Sequence, residues 1–566
     1  MFSKPVDLIA ARRKKVLASY ADAEETNALA FLEGDSNATQ EFIFDNQKQD
    51  AKRVINEFYN NDRRVVSITK KTKVGMDGLM IEIAYQMTTH TDDNFVVDPK
   101  NVRFLTGMSN TDWQAGMKEK IPSVFTKNVF HHGQLKRADL SDLKNALIII
   151  DEIDTGDKVG SVLNNLLRDA GLLNIHNMIE RNIRFVFVSA TMLKQLYELK
   201  DWGEHHATIQ MTIPDQYIGH KEFLDEGIIQ EFYPLATVPA ARKWIQEDII
   251  DKYGTDYRVH MIRVTNKTIG NIMFVTKEFP SVVWHEHNSD ERLGNLVNFF
   301  EGELTGHKIL LIKGFYRRAN LIPNKWKLRI GAMHELWTKK VDNNVQIQGF
   351  PGRMSGYWAD NIKAGHKTGP YRTSCQAVKE YELAFNDPFG DAAYSGGGIT
   401  KTNERDIAIK TESLVSANNI EGIEKQPDID TDNPKTVPIV VQVTAEEYAR
   451  IKRIGGTKEW DVASIIEVIK DKVPTELIHK MNRIIADGGK DQIVEQKDTT
   501  TATYAEYIDK SVNAANDNKP HWRTGNIKDK ERDLLQIYLD WCNHRIIVCI
   551  YRGTTQGNPG SSTEGA

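Results

Sequence analysis

The residues best suited to chemistry stand in one tetrad, Asp151-Glu152-Ile153-Asp154, directly after the apolar run Leu147-Ile148-Ile149-Ile150. Paired carboxylates at a strand end offer one group to hold a hydrated magnesium ion and another to orient or deprotonate water, as phosphoanhydride hydrolysis requires. Taken alone, a capped and solvated strand end accounts for the same tetrad equally well. A second apolar run, Phe185 to Val188, ends in Ser189-Ala190-Thr191. Hydroxyls there, close to the carboxylates, would relay the state of a phosphate site by exchanging hydrogen bonds.

Such residues need a scaffold that brings strand ends together. Asp45 to Tyr59 places Ala51, Val54, Ile55 and Phe58 on one helical stripe, with Asp45 at its start. Val65 to Thr69 reads as a strand, a polar loop follows to Gly78, and Leu79 to Met87 resumes as helix. Strand, loop and helix in that order is how α/β proteins present a phosphate site. Further buried-type strands at Val102 to Thr106, Ala146 to Ile150 and Phe185 to Val188 predict a parallel sheet covered by helices on both faces. A second series, Arg258 to Val264, Ser281 to Trp284, Lys308 to Ile312 and Leu328 to Met333, predicts a second α/β domain.

The expected organisation is a basic amino-terminal tail over 1–35, holding Arg12, Arg13, Lys14 and Lys15, then α/β domains over 36–215 and 216–385. A flexible linker over 386–437 precedes an accessory α+β domain over 438–552 and a disordered tail over 553–566. Within the accessory domain, helices are expected near Trp460 to Lys472 and Glu531 to Trp541, and a final strand over Arg545 to Tyr551.

At 566 residues the chain exceeds one ordinary core, with about 150 residues per domain as a guide. Hydrophobic residues at 40% and charged residues at 27% match a globular chain, and the absence of a run of about 18 apolar residues argues against a bilayer span. No secretory signal is evident, so the expected location is intracellular. A net charge of −5 gives no global pull on nucleic acid, which leaves local patches. The three cysteines, Cys375, Cys542 and Cys549, form no metal or disulfide pattern and read as small buried side chains. The histidines His131, His132, His205, His206, His285 and His287 have no accompanying ligand spacing and read as structural.

Several stretches in order carry a family resemblance: Thr106-Gly107-Met108, Asp151-Glu152-Ile153-Asp154-Thr155, Ser189-Ala190-Thr191-Met192, Lys313 to Ala319 and Gly352-Arg353-Met354-Ser355-Gly356-Tyr357. Over about residues 40 to 385 the chain resembles superfamily 2 helicases, of the type encoded by large DNA viruses and bacteriophages. The resemblance implies two tandem RecA-like parallel-sheet domains, a P-loop NTPase helicase core, to which the small C-terminal α+β domain is appended. It also implies ATP and Mg²⁺ as cofactors, and DNA or RNA as partner, held as a single tracking strand. By this likeness Gln47 reads the adenine edge, Asp151 takes the metal, Glu152 activates water, and Ser189, Ala190 and Thr191 couple the domains. Arg353 is the arginine finger, Gln348 lies beside the nucleotide or water, and Thr106, Arg317, Arg318 and Lys325 face nucleic acid, with Lys327 and Arg329 in the same basic cluster and Tyr316 or Trp326 to stack on a base. His334-Glu335 reads as structural or as part of the helicase signature.

One departure is large. The pattern G-x-x-x-x-G-K-[ST] falls on Lys70 to Asp77, where only Gly75 matches, Met76 holds the lysine position and Asp77 the hydroxyl position. Methionine cannot neutralise phosphate, so the expectation is that Lys71 or Lys73, beside Gly75 and Gly78, supplies the charge while Asp77 helps hold the metal. Two functions stay open: an ATP-driven helicase or translocase, and a catalytically degenerate helicase-like scaffold that binds nucleic acid or protein without turnover. The accessory domain is a candidate for contact with a protein partner.

Overall fold

The computed structural model describes residues 5–35, 38–91, 95–109, 111–289, 291–314, 316, 318, 322–402, 407–423, 439–455, 457–486, 491–495, 534–540 and 544–551. Two compact units result, one up to Glu424 and one from Lys425 onward.

The first unit contains two α/β domains. In the first, β1 (Val65–Thr69), β2 (Val102–Thr106), β3 (Val129–Phe130), β4 (Ala146–Asp151), β5 (Ile183–Ser189) and β6 (His206–Gln210) form a parallel sheet ordered β3-β2-β4-β5-β1-β6. Residues in β1, β4 and β5 are buried throughout, as expected of strands covered on both faces. Register brings the chemistry to one edge: Thr69 pairs with Ser189, and Asp151 with both Val188 and Thr106. The carboxyl ends of neighbouring parallel strands are where open α/β sheets bind ligands.

Around this sheet lie α1 (Pro5–Leu32), α2 (Asp45–Tyr59), α3 (Met76–Thr89) and α4 (Thr111–Lys120). The stretch 1–35, expected as a tail, is thus corrected to a helix over most of its length. Val16 and Tyr20, one turn apart, enter the first core, and the Tyr20 hydroxyl donates to Glu82 of α3 at 2.7 Å. Basic Arg12 pairs with Asp98 at 2.9 Å.

In the second domain β7 (Ile229–Glu231), β8 (Val259–Arg263), β9 (Val282–His287), β10 (His307–Ile312), β11 (Ile330–His334) and β12 (Tyr371–Thr373) form another parallel sheet, ordered β7-β12-β11-β8-β10-β9. The first unit is therefore a tandem of RecA-like α/β domains.

The expected linker over 386–437 is ordered through much of its described part, which corrects that reading. Here β13 (Tyr394–Gly396), β14 (Ile399–Lys401) and β15 (Ile407–Ile409) form a three-stranded antiparallel sheet, with Tyr394 and Ile399 in the core of the second domain. The chain then returns to the first domain, where Leu414, Val415 and Ile420 are buried in its core. Trp202 donates its indole N–H to the Val415 carbonyl at 2.8 Å, and Leu414 N–H donates to Asp157 O at 2.7 Å. A few apolar anchors among polar residues suffice to order this strap, and their wide spacing hid them from a compositional reading. The Ser413 hydroxyl and N–H both donate to buried Glu198. Ser413→Ala leaves an acceptor unsatisfied there, so a loss of about 1–3 kcal/mol is expected by denaturant unfolding; unchanged stability would show that the strap does not anchor the domain. Residues 424–438 lie outside those described.

In the second unit β16 (Ile439–Gln442), β17 (Asp491–Glu495), β18 (Leu534–Asp540) and β19 (Arg545–Tyr551) form a mixed sheet ordered β16-β19-β18-β17. Helices Val462–Ile469 and Thr475–Ala486 supply Ile465, Ile469, Leu477 and Met481 to the same core. The small α+β domain is as expected, with one correction: the helix anticipated over Glu531 to Trp541 is strand β18 in its described part. Leu535, Ile537 and Leu539 alternate into the core, and pairing on both edges overrides helical propensity. Cys549 is buried, Cys375 is half-buried, and Cys542 and the tail 553–566 lie outside the described residues. Among the described residues, no helix is long and apolar enough to cross a membrane.

Candidate functional site

Between β1 and α3 the loop from Lys70 turns at Gly75, whose φ of 84° is left-handed and favours glycine. Gln47 of α2 sits beneath it. Its amide Nε2 donates to the Gly75 carbonyl at 2.6 Å, and its Oε1 accepts from Phe44 N–H at 2.9 Å. A Cβ at Gly75 would meet Gln47 Nε2 at 2.7 Å, and one at Gly78 would meet its Oε1 at 2.6 Å. Gln47 thus spends its donor on the loop and its acceptor on capping its own helix, and both glycines are required by its approach.

Asp151 and Glu152 leave the end of β4 into a buried cleft. Lys70 Nζ lies 3.0 Å from Glu152 Oε1 and 3.5 Å from Asp151 Oδ1. Burial opposes its charge, but Asp151 and Glu152 more than offset this and raise its pKa above the ordinary value. Burial also works against ionised Glu152, yet Lys70 and Arg318 outweigh it and draw the carboxyl down to about 2. Asp151 is shifted upward by burial, partly countered by Lys70. Trp113 of α4 donates its indole N–H to Asp151 Oδ2 at 2.8 Å. On the β5 side, the Ser189 and Thr191 hydroxyls donate to the two oxygens of Asp154, each at 2.8 Å.

The second domain closes the cleft. Gln348 Nε2 lies 3.3 Å from Glu152 Oε2 and 3.3 Å from Thr191 Oγ1, and Arg353 Nη2 donates to Gln348 Oε1 at 2.9 Å. Arg318 forks onto Asp154, with both contacts at 2.7 Å, and reaches Glu152 Oε2 at 3.3 Å. Asn344 donates to the Thr191 carbonyl at 3.1 Å and accepts from the strap's Tyr394 hydroxyl at 2.6 Å. Hydroxyls of Tyr381, Tyr217 and Tyr357 donate to the carbonyls of Lys70, Thr72 and Val74 at 3.3, 2.7 and 2.8 Å. The loop is therefore gripped at alternate residues from the far side. A cavity of about 290 Å³ remains, lined by both domains.

Of the residues singled out from sequence, Asp151, Glu152, Gln348, Arg353, Lys73, Gly75, Met76, Asp77 and Ala190 all line this cavity. Others are placed differently. Lys71 points away, pairs with Glu382 and lies over the Phe385 ring at 4.1 Å. Asp77 is paired with Lys120 at 2.8 Å, which is the main cause of its lowered pKa, so it is engaged by a cation of this chain. Arg318, expected on the nucleic-acid face, is instead a second guanidinium in the cleft. Thr106 is fully buried, its hydroxyl accepting from Met108 N–H at 3.3 Å. Lys325 pairs with Glu301 at 2.8 Å, while Trp326 stacks on Phe300 at 4.6 Å and Tyr316 is buried. That basic and aromatic cluster therefore presents no open stacking ring, and Arg317 lies outside the described residues.

Lys70, Trp113 and Lys120 are cleft residues to which sequence reasoning gave no role, and Lys327, expected in the basic cluster around Trp326 on the nucleic-acid face, lines the cleft instead. For Lys70 a signal existed, since it directly follows β1. Trp113 and Lys120 face the site only because α4 crosses the strand ends, and no spacing announces that.

No protein-family model matches the chain, and no curated protein matches it. Among solved structures, it is similar to Dbp5 of S. cerevisiae bound to RNA and ADP BeF3, at 13% identity, covering 61% of this chain and 88% of that one, with a TM-score of 0.34. It is similar to the DEAD-box helicase Mss116 bound to ssRNA and UDP-BeF, at 14% identity, 64% and 75% coverage and a TM-score of 0.40. A third is the NS3-like helicase from Alongshan virus, at 11% identity, 56% and 74% coverage and a TM-score of 0.32.

Proposed function

We propose that this chain is an ATP-driven helicase or translocase that hydrolyses ATP between its two α/β domains to move along a single strand of DNA or RNA. The observation that carries the reading is the meeting of Glu152 with Gln348 and Arg318 from the second domain, each 3.3 Å from one carboxylate oxygen. An ionised carboxylate held beside two donors from a separate domain suits a group that orients and deprotonates water only when the domains are closed. Arg353, held by Gln348, would place its guanidinium on the transferred phosphoryl group. Ser189 and Thr191, bonded to Asp154 and through Gln348 to the second domain, would transmit the state of the cleft.

Asp151 is suited to magnesium by its donor chemistry, since a hard carboxylate oxygen already faces a cation, Lys70. There the ion would neutralise charge on the phosphates. Lys120 removes the expected second ligand, Asp77, from that role. An intracellular location, membership of the helicase type encoded by large DNA viruses and bacteriophages, and a protein partner for the second unit complete the proposal.

Met76 in the lysine position, and the engagement of Lys70 by both carboxylates, favour the alternative scaffold that binds without turnover. Phosphate release from ATP, with and without single-stranded DNA or RNA, separates the two. Nucleic-acid-stimulated turnover is expected, falling about a hundredfold or more in Glu152→Gln, which keeps the shape and removes the base. Release no faster than in that variant would leave the scaffold.

A further inference from the structure

The cleft holds a further cation from the basic stretch around Trp326. Lys327, on the short helix Asn324–Lys327, is 3% exposed, and its ammonium donates only to neutral acceptors, Ser355 O at 2.8 Å and Asn324 Oδ1 at 3.1 Å. Lys73, across the cavity on the phosphate loop, makes no hydrogen bond or ion pair among the described residues. Both line the same cavity with Arg353. Gly356 allows this approach: its φ is 143°, and a Cβ there would stand 2.8 Å from Lys327 Nζ and 3.9 Å from the Lys73 carbonyl.

Lys327 is a buried ammonium without a carboxylate, which is costly. Lys73 is half-buried on the cavity wall with Asp77 the one carboxylate that favours its charge, and neighbouring like charges add to the cost. Burial, then Arg353, lowers Lys327 to about 7, and the same two influences bring Lys73 well below its ordinary value. Carboxylates elsewhere in the cleft already have cations: Lys70 for Asp151 and Glu152, Lys120 for Asp77, and Arg318 for Asp154. What would relieve Lys73 and Lys327 is an anion entering the cavity. The two lysines belong to the two domains that line the cavity, so an anion with charge along its length would meet both.

We propose that Lys73 and Lys327 form a grip for a chain of phosphates, one lysine from each domain, replacing the single lysine that the loop lacks at Met76. The grip rests on the ATP reading for the identity of its ligand and goes beyond it in assigning Lys327, beside Arg353, as a further phosphate contact from the second domain. Part of the phosphate-binding charge then arrives only on closure, so affinity for the phosphate chain and domain closure become one equilibrium.

The test uses the full chain with Lys73→Met, Lys327→Met, the charge-retaining Lys327→Arg, and Lys363→Met on the exposed surface of the second domain. Binding of ATP carrying a fluorescent methylanthraniloyl group, and of inorganic tripolyphosphate by calorimetry, is measured for each. We expect either methionine variant to weaken both ligands about ten- to a hundredfold, Lys327→Arg to recover part of the affinity lost in Lys327→Met, and Lys363→Met to bind as the parent does. Retained affinity in Lys73→Met and Lys327→Met, with the parent binding normally, overturns the grip and leaves the ATP reading standing. Tripolyphosphate binding that is lysine-dependent, without binding of the ATP analogue, upholds the grip and removes the ATP reading. A parent that binds neither overturns both. Unchanged thermal unfolding of Lys327→Arg beside Lys327→Met separates loss of charge from loss of fold.

Discussion

On the proposed ATP-driven reading, Arg353→Ala is expected to reduce nucleic-acid-stimulated turnover about a thousandfold or more, as loss of an arginine finger would. Arg353 is 2% exposed and is oriented by Gln348, which also touches Glu152 and Thr191. Burial, opposed by Glu152, lowers its pKa to about 10, still far above neutral, so the guanidinium enters the reaction charged. Charge delivered in a dry cleft acts on the transition state with little screening. Loss should therefore fall on kcat rather than on KM. Arg353→Lys should recover little, because an ammonium lacks the planar fork that meets Gln348 and phosphate together. Steady-state kinetics of both variants decide the matter, and turnover close to the parent's in Arg353→Ala would remove Arg353 from catalysis.

Glu335→Ala should cost about 3–5 kcal/mol of stability, the usual effect of breaking a buried ion pair from one side. Arg263, at the end of β8, lies 2.7 Å from Glu335 Oε2, and the two side chains are 3% and 1% exposed. Glu335 Oε1 also accepts from Phe350 N–H at 2.7 Å, at the start of the helix Phe350–Met354 that carries Arg353. The Arg263 guanidinium lies 4.4 Å from the Phe350 ring centre. Alanine would leave that guanidinium buried without its counter-ion and release the first turn of the helix, so turnover should fall along with stability. Glu335→Gln keeps an acceptor and should lose less. Chemical denaturation of the three proteins measures this, and an alanine variant as stable as the parent would contradict it.

The reading of His334-Glu335 as structural or part of a helicase signature rested on its place beside an expected strand, yet the Glu335 partner Arg263 lies on a strand 72 residues away. The same contrast runs through the site. Most expected strands of the two parallel sheets were legible to within a few residues, because strands covered on both faces must be continuously apolar. Asp151, Glu152, Ser189 and Thr191 were legible for the same reason, since they end such runs. What failed depended on sparse anchors: the strap was hidden by wide spacing of Tyr394, Leu414, Val415 and Ile420, and β18 by a local pattern that pairing on both edges overrode.

The sequence by itself determined most strands of the two parallel sheets and the residues at their ends, because local apolar pattern and chain direction dictate both. Only the tertiary structure decided which cations share the cleft. Lys70, Lys71 and Lys73 are near neighbours in one loop, yet one meets the carboxylates, one pairs with Glu382, and one faces the cavity opposite Lys327. Side-chain direction in an irregular loop follows from what the second domain packs against it, and electrostatic partners separated by hundreds of residues leave no periodic trace along the chain.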